Sequence, residues 1–327
     1  MNIIVQKYGG TSVENKEKLE KVCNRIIEYK ENGYELVVVV SAQGKTTDTL
    51  ISKAREYSKN PDLKSLDILL ATGEMQTVSL LAMMLEDKGY ETKALTASMA
   101  GIITTSDFGY AKIINVSPVI TQNALKEGKI VIVTGFQGID RYGNITTLGR
   151  GGSDLSAVAI ASSLNAEKCE IYTDVDGVLT SDPKIIDTPI LLDNISYDEM
   201  LEAASNGAKV LHNRCVSFAK RNNLNVEVKN SSTSNRGTSV KVDNLNENHE
   251  VRIITKKDNL SKISIISDMI SETKNIFSIA FSTADKLNIP IEMVSISEVA
   301  LNIVVKEEYS DLYITNLHKV LFDEKKR

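Results

Sequence analysis

Two glycine-rich segments hold the residues best suited to bind anions: KYGGTSV (residues 7–13) and GRGGSD (residues 149–154). In the first, Gly9 and Gly10 follow a β-branched run and precede a helical pattern, so their backbone amides are expected to point out at a helix N-terminus, an arrangement that cradles phosphate. Lys7, at the strand end beside them, can bring an ammonium to a phosphate oxygen. A plain strand-to-helix turn with a surface lysine is the alternative, because a glycine pair lacks the length of a P-loop. The second segment opens an alanine-rich helix, LSAVAIASSL, and clusters Arg150, Ser153 and Asp154 at its start. Arg150 can clasp a carboxylate through two parallel hydrogen bonds; Asp154 can orient a cation or a lysine, or cap the helix it begins.

Three further segments offer polar groups at element ends. SAQGKTTDTL (residues 41–50) follows a strongly apolar strand as a loop, at the sheet edge where open α/β folds place ligands, with Thr46 and Thr47 as hydroxyl donors. ATGEMQ (residues 71–76) puts Glu74 beside Gly73 at an expected helix start, where it either complements the helix dipole or accepts a substrate ammonium. YTDVDGVLTSDPK (residues 172–184) ends a buried strand in Thr173 and Asp174 and runs on to Lys184. A nucleotide could lie along it, and DVDG alone is also a common turn. The three histidines, His212, His249 and His318, are scattered and read as structural or surface groups.

The elements that must carry these groups alternate. Short β-branched runs (residues 2–6, 35–41, 91–97, 130–134, 169–175 and 225–229) recur between amphipathic helical segments. That is the pattern of an α/β fold with a mostly parallel central sheet and helices on both faces. ELVVVVS is apolar at successive positions, as a central strand requires. Ser196 and Glu199 form a capping-box pair opening a helix that Asn206-Gly207 stops. The polar stretch 243–250 separates a larger domain, 1–242, from a small α+β unit, 251–327. In the latter, two strand-like runs, a helix with Ile276, Ala280 and Ala284 on its apolar side, two further strands and a last helix follow in turn.

The formal charge of −5 argues against a nucleic-acid partner, and 42% hydrophobic with 25% charged residues is ordinary for a folded soluble chain. Three widely spaced cysteines, Cys23, Cys169 and Cys215, suit reduced thiols. MNIIVQKYGG does not read as a signal peptide, and the apolar run near Leu80 to Leu85 is too short to span a membrane, so a cytoplasmic protein with no membrane partner is expected.

KYGGTSV, VVVVSAQGKTTDTL, LLATGEMQ, GRGGSD, YTDVDGV and GAKVLH occur in the order found in the aspartate kinases, and over residues 1–242 the chain resembles that branch of the amino-acid-kinase superfamily. The resemblance implies that the γ-phosphoryl of ATP, bound with Mg2+, passes to the β-carboxylate of L-aspartate to give 4-phospho-L-aspartate, the first step of lysine, threonine and methionine biosynthesis. It implies catalytic roles for Lys7 and Asp154, with no metal ligand assigned to the protein. Substrate contacts fall to Ser41, Thr47, Glu74, Arg150, Gly151, Gly152 and Ser153, with Glu74 on the ammonium and Arg150 on the α-carboxylate. Nucleotide contacts fall to Lys7, Tyr8, Gly9, Gly10, Thr173, Asp174, Leu179, Lys184, Lys209 and Val210. Leu179 and Lys184 stand where relatives often have an aromatic residue and an arginine. From Val251 onward the pattern resembles a single ACT (ferredoxin-like) domain, where relatives generally carry two, and lacks the Pro-Gly pair that commonly follows its first strand. The resemblance further implies lysine or threonine as an effector and a homodimer or higher homo-oligomer.

Elementary chemistry fits such a reaction. A side-chain carboxylate with a pKa near 3.9 is ionised at neutral pH, so the nucleophile needs no general base. The barrier lies in bringing it against a phosphate, since two unit charges near 4 Å repel by about 4 kcal/mol at an effective dielectric of 20. Lys7, a nucleotide-borne Mg2+ and glycine-rich amides are the groups able to offset that. A kinase for another small acid or for a nucleoside monophosphate, and a catalytically silent amino-acid sensor, are the competing readings. Loops after Ser41 and around Tyr142-Gly143 are the expected moving parts.

Overall fold

The structure, a computed structural model, describes residues 2–208, 210–233, 235–242 and 251–323; Lys209 and the polar stretch 243–250 lie outside the described residues. The chain divides into two compact units, Met1–Thr255 and Lys256–Arg327. Residues 251–255, expected to open the second unit, bond to the first: Ile254 N donates to Thr180 O at 2.9 Å and Arg252 Nη2 to Asn194 O at 2.6 Å.

In the first unit, β1 (Ile3–Tyr8) leads through a one-turn 3-10 helix (Gly10–Ser12) to α1 (Lys16–Glu31) and β2 (Glu35–Val40). Helices α2 (Thr46–Tyr57) and α3 (Leu63–Asp87) follow, then β3 (Thr92–Leu95), β4 (Ile102–Thr104), β5 (Ile113–Val116), α4 (Val119–Lys126) and β6 (Ile130–Thr134). Beyond them come β7 (Gln137–Asp140), β8 (Ile145–Thr147), α5 (Gly152–Ser163), β9 (Lys168–Thr173) and β10 (Asn194–Ser196). The unit ends in α6 (Tyr197–Ser205), α7 (Asn213–Arg221), β11 (Val226–Asn230) and β12 (Thr238–Lys241).

The main sheet has the order β10-β12-β11-β9-β1-β2-β6-β3 and is parallel except between β11 and β12. Five of the six residues of β2 are fully buried, as its apolar run requires. Residue parity divides its side chains between two cores. Val5, Val37, Val39, Val131, Val133, Cys169 and Ile171 face one side with residues of α5, α6 and α7. Ile4, Tyr8, Leu36, Val38, Val40, Ile130 and Ile132 face the other with residues of α1 and α3. All three cysteines are free and buried in these cores. The capping box at Ser196 and Glu199 is formed, with Asn206 at the end of α6.

A second sheet, β5-β4-β7-β8, was not evident in the sequence, because its strands are three or four residues long. Helix α3 is also longer than the expected segment from Glu74 onward: it starts at Leu63, capped by the Asp62 side chain, which accepts from Ser65 N at 3.0 Å. It is long and apolar enough to cross a membrane by length and composition. It carries two carboxylates, Asp67 and Glu74, buried within protein, and its apolar side packs with β2 and β6, which makes it a core helix.

The second unit holds β13 (Leu260–Ile266), α8 (Ile276–Lys286), β14 (Ile291–Ile296), β15 (Ala300–Lys306) and α9 (Glu307–His318). Its antiparallel sheet has the order β13-β15-β14. Leu301, Ile303 and Val305 pack with Ile276, Ala280, Ala284, Tyr313 and Leu317 on one face.

Candidate active site

Strand order reverses at β1, with β2 on one side and β9 on the other, and open α/β sheets bind ligands beyond the strand carboxyl ends at such a point. A cavity of about 340 Å³ lies there. Its walls include Lys7 and Gly10 from the β1 end, Ser41 and Thr47 after β2, Glu74 from α3, Phe136 after β6 and the whole run Gly149–Asp154. A larger cleft of about 580 Å³ is lined by Lys168, Glu227, Lys229 and others, but those lysines are already paired with Glu170 and Glu227.

Lys7 Nζ lies 2.6 Å from Asp154 Oδ1, both side chains being nearly buried. Strand alternation turns Lys7 toward α5, where Asp154 sits in the first turn. The same alternation sends Tyr8 to the opposite face: its ring is fully buried and stacks on Tyr172 at 4.7 Å. Tyr8 therefore has its backbone, and not its ring, at the cavity end of the strand. Gly9 lies under the lysine, with a built Cβ only 3.3 Å from Lys7 Nζ. The glycine pair does not open α1 as expected. Its amides lead into the 3-10 turn, and α1 begins six residues later behind its own cap, Asn15.

Glu74 sits mid-helix and is 2% exposed, so helix-start stabilisation does not account for it. Its Oε1 accepts from Ala42 N at 3.0 Å, while Oε2 is buried with no partner among the described residues. Burial raises its pKa to about 7, against the pull of the Ala42 amide. Across the cavity, Ser41 Oγ and Ser153 Oγ are hydrogen-bonded at 2.9 Å. Thr46 and Thr47 form the first turn of α2 rather than a loop, and Thr46 Oγ1 is committed to Gln43 O at 2.7 Å. Arg150 is exposed, with Gly151 capping α5 at φ 73°. A Cβ on Gly151 would stand 2.5 Å from His212 Cβ, so both its conformation and the space require glycine. His212 is thereby structural, capping α7 by accepting from Arg214 N at 3.4 Å; burial and nearby Arg214 lower its pKa.

The expected nucleotide residues are less gathered. Thr173 ends β9, the neighbour of β1, Asp174 follows it, and Thr173 Oγ1 donates to Asp174 Oδ1 at 3.1 Å. Leu179 pairs with Leu191 in an isolated bridge, Lys184 is exposed in a turn, and Val210 is half-buried. None of these lines the cavity around Glu74. Phe136 does, and went unnoticed in the sequence. It is held left-handed at φ 69°, unusual for a bulky residue, by Phe136 N donating to Ser156 Oγ at 3.2 Å and Leu148 N donating to Phe136 O at 2.8 Å.

The amino acid kinase family model matches residues 2–230. Over 303 residues the chain is 46% identical to the aspartokinase of Geobacillus stearothermophilus, covering 92% of this chain and 74% of that one. The chain belongs to the aspartokinases. It is also 50% identical over 266 residues to the aspartokinase of Bacillus sp. (strain MGA3), covering 81% of this chain and 65% of that relative's length. Among solved structures, aspartate kinase from Synechocystis aligns at 31% identity with a TM-score of 0.68, over 97% of this chain and 69% of that one. E. coli aspartokinase III in complex with aspartate and ADP shares the fold, with a TM-score of 0.70 at 21% identity over 98% of this chain. Every side chain of the cavity falls inside the part of this aspartokinase that the family model matches.

Proposed function

We propose that the chain is an aspartate kinase, transferring the γ-phosphoryl of ATP to the β-carboxylate of L-aspartate to give 4-phospho-L-aspartate, at the head of lysine, threonine and methionine synthesis. The observation that carries this reading is one cavity containing Glu74 with an unpartnered oxygen, Arg150, and the Lys7–Asp154 pair. A zwitterionic amino acid needs one partner for each charge. Glu74 Oε2 accepts from the ammonium, Arg150 clasps the α-carboxylate, and Thr47, Ser41, Ser153 and the amides of Gly151 and Gly152 complete the pocket.

The side-chain carboxylate then faces the nucleotide. One of its oxygens bonds to the γ-phosphorus while the bond to the β,γ-bridging oxygen breaks, and ADP leaves with that electron pair. No proton moves. Lys7 and the Gly9 and Gly10 amides lie where charge accumulates on the transferring group, and Asp154 holds the Lys7 ammonium there. Magnesium would arrive on the nucleotide phosphates and add charge neutralisation, with Asp154 the cavity carboxylate able to help hold it. Thr173, Asp174, Leu179, Lys184, Val210 and the Tyr8 backbone are proposed to meet the nucleotide, as is Lys209, which lies outside the described residues.

An ADP-release assay with aspartate, glutamate and UMP as acceptors tests the reading. Turnover with aspartate alone is expected; turnover with UMP or with neither amino acid would overturn it. E. coli aspartokinase III has been solved in complex with both lysine and aspartate. For this cytoplasmic chain, one ACT-like unit is proposed as the seat of lysine or threonine sensing. It is also proposed to pair chains, since Ile266, Met293 and Ile296 on its sheet are exposed. Light scattering at micromolar protein should give a dimer or larger; a monomer would contradict the pairing.

A further inference from the structure

The geometry points to Asp67 as a positioning residue that sets the span between Glu74 and Arg150, and with it the selectivity for a small α-amino acid; this rests on the reading of those two side chains as the zwitterion's partners. Asp67 is 1% exposed and is not among the residues that line the cavity. Its Oδ2 accepts from Gly109 N at 2.9 Å and Thr147 N at 2.8 Å, and its Oδ1 from Thr147 Oγ1 at 2.7 Å, with Gly109 N a longer 3.1 Å away. A buried carboxylate is costly unless so satisfied, and all of its donors belong to two segments.

Those two segments form the ledge that carries Arg150. Thr147 is three residues before it, and Ala111 N donates to Thr147 O at 2.9 Å. Tyr110, next to Gly109, lies 2.7 Å from where a Gly149 Cβ would be. From the far side Arg214 closes the ledge, donating to Leu148 O at 2.5 Å and Ala111 O at 2.7 Å and covering the Tyr110 ring at 4.4 Å.

The other end of the gauge is on the same helix. Residues 67, 71 and 74 recur at i, i+4 and i+7, one stripe of α3. Asp67 holds the Arg150 ledge. Ala71 O accepts from Gln137 Nε2 at 3.0 Å, beside Phe136, and Glu74 takes the Ala42 amide. Two helical turns, roughly 10 Å of rigid axis, thus separate the anchor of the carboxylate-binding arginine from the ammonium-binding carboxylate.

Asp67→Ala and Asp67→Asn, in the full chain, test this by KM values for aspartate and ATP and by amide hydrogen exchange. Asparagine can keep both amides on its oxygen while its NH2 donates to Thr147 Oγ1, which is free to turn and accept. Asp67→Ala should raise the aspartate KM about tenfold or more and the ATP KM less than about threefold, and Asp67→Asn should bring the aspartate KM back to within about threefold of wild type. A purely structural residue would lower the folded fraction without moving either KM. An unchanged aspartate KM in Asp67→Ala, a parallel rise in both KM values, or failure of Asp67→Asn to rescue would overturn the proposal. If Asp67→Ala does not accumulate folded, Thr147→Val removes one donor and should still raise the aspartate KM about threefold; no rise would count against the anchor. If wild type shows no aspartate-dependent ADP release, the functional reading fails, and exchange still decides the anchoring. Faster exchange confined to Gly109 and residues 147–152 in Asp67→Ala supports it; unchanged exchange there refutes it.

Discussion

With Glu74 as the proposed ammonium acceptor, aspartate capture should be pH-dependent near neutrality. Burial lifts its pKa to about 7, whereas only the carboxylate form can take a substrate ammonium on Oε2. At about pH 8 roughly nine in ten free enzymes carry the ionised form, and at about pH 6 roughly one in ten, so kcat/KM for aspartate should fall about tenfold between them. With aspartate and ATP both saturating, kcat should change much less, because the bound ammonium favours the carboxylate. Stability carries the opposite signature. The folded-state pKa lies above the unfolded value, so the folded chain holds the extra proton between about pH 4.5 and about pH 7. That contribution is complete below about pH 4.5 and lost as pH rises through about 7, worth roughly 3 kcal/mol in all. The assay is ADP release against aspartate concentration across this range, run beside urea unfolding. Glu74→Gln should flatten both profiles, at a lower kcat/KM and with higher stability above about pH 7. A wild-type kcat/KM that stays level between about pH 6 and about pH 8, or a Glu74→Gln enzyme that keeps the acid limb, would refute the assignment.

Substitutions at Lys7, Asp154, Arg150 and Glu170 separate the roles. Lys7→Met should cut turnover by about 10²–10³-fold. It should also lower stability, by leaving Asp154 unpaired in a nearly buried site, so Lys7→Met with Asp154→Asn should recover urea resistance without recovering turnover. Arg150→Ala should raise the aspartate KM with little change in that for ATP, and, the side chain being exposed, shift stability by less than about 0.5 kcal/mol in the same unfolding assay. Glu170→Ala strips the acceptor from Gln6, Tyr29, Tyr172, Lys168 and Lys229 and should cost about 3–5 kcal/mol by urea unfolding. Burial alone would raise the Glu170 pKa, but Lys229 and Lys168 outweigh it and hold the group below the ordinary range. Its stabilisation is therefore present above about pH 4.5 and lost on acidification, and Glu170→Gln should reduce that acid dependence.

The fold was legible wherever one physical signal dominated. After Glu35, the run LVVVV is apolar at five successive positions, as a strand covered on both faces requires, and it lies in the sheet interior. The Ser196 capping box needed only local chemistry. Helix α3 was truncated in the sequence-based reading because Thr72-Gly73 looks like a break. Gly73 is there for another reason: a Cβ on it would stand 2.8 Å from Ala42 Cβ, so the helix could not approach the loop that gives Glu74 its amide. Lys7, Ser41, Thr47, Glu74, Arg150 and Ser153 through Asp154 were named from the sequence, and the structure gathers them in one cavity. Phe136 was not, since neither its left-handed backbone nor its place after β6 has a composition signature. Asp67 and Glu170 were invisible for a related reason. Surface is the ordinary place for a carboxylate, and burial shows only when distant donors close around it.

Alternation along β1 also gives the buried Tyr8 ring a supporting part behind the proposed nucleotide edge. Lys7 points to the cavity, while Gln6 and Tyr8 point to the buried network around Glu170, where Tyr8 OH donates to Gln6 Oε1 at 3.1 Å. The Tyr8 ring lies flat against Tyr172, whose other neighbour is the Arg25 guanidinium, 4.6 Å from the ring centroid. Arg25 in turn donates to Ser231 O at 2.9 Å and Thr233 O at 3.1 Å, and Ser231 N donates to Thr173 O at 2.8 Å. Stack, cation and backbone bond therefore fix the end of β9 from behind. Thr173 and Asp174, proposed to meet the nucleotide, are presented by that strand end. A polar lattice on the rear of the sheet thus fixes the edge where the phosphate donor is proposed to lie beside Lys7, and the two faces of one strand divide between the buried lattice and the cavity.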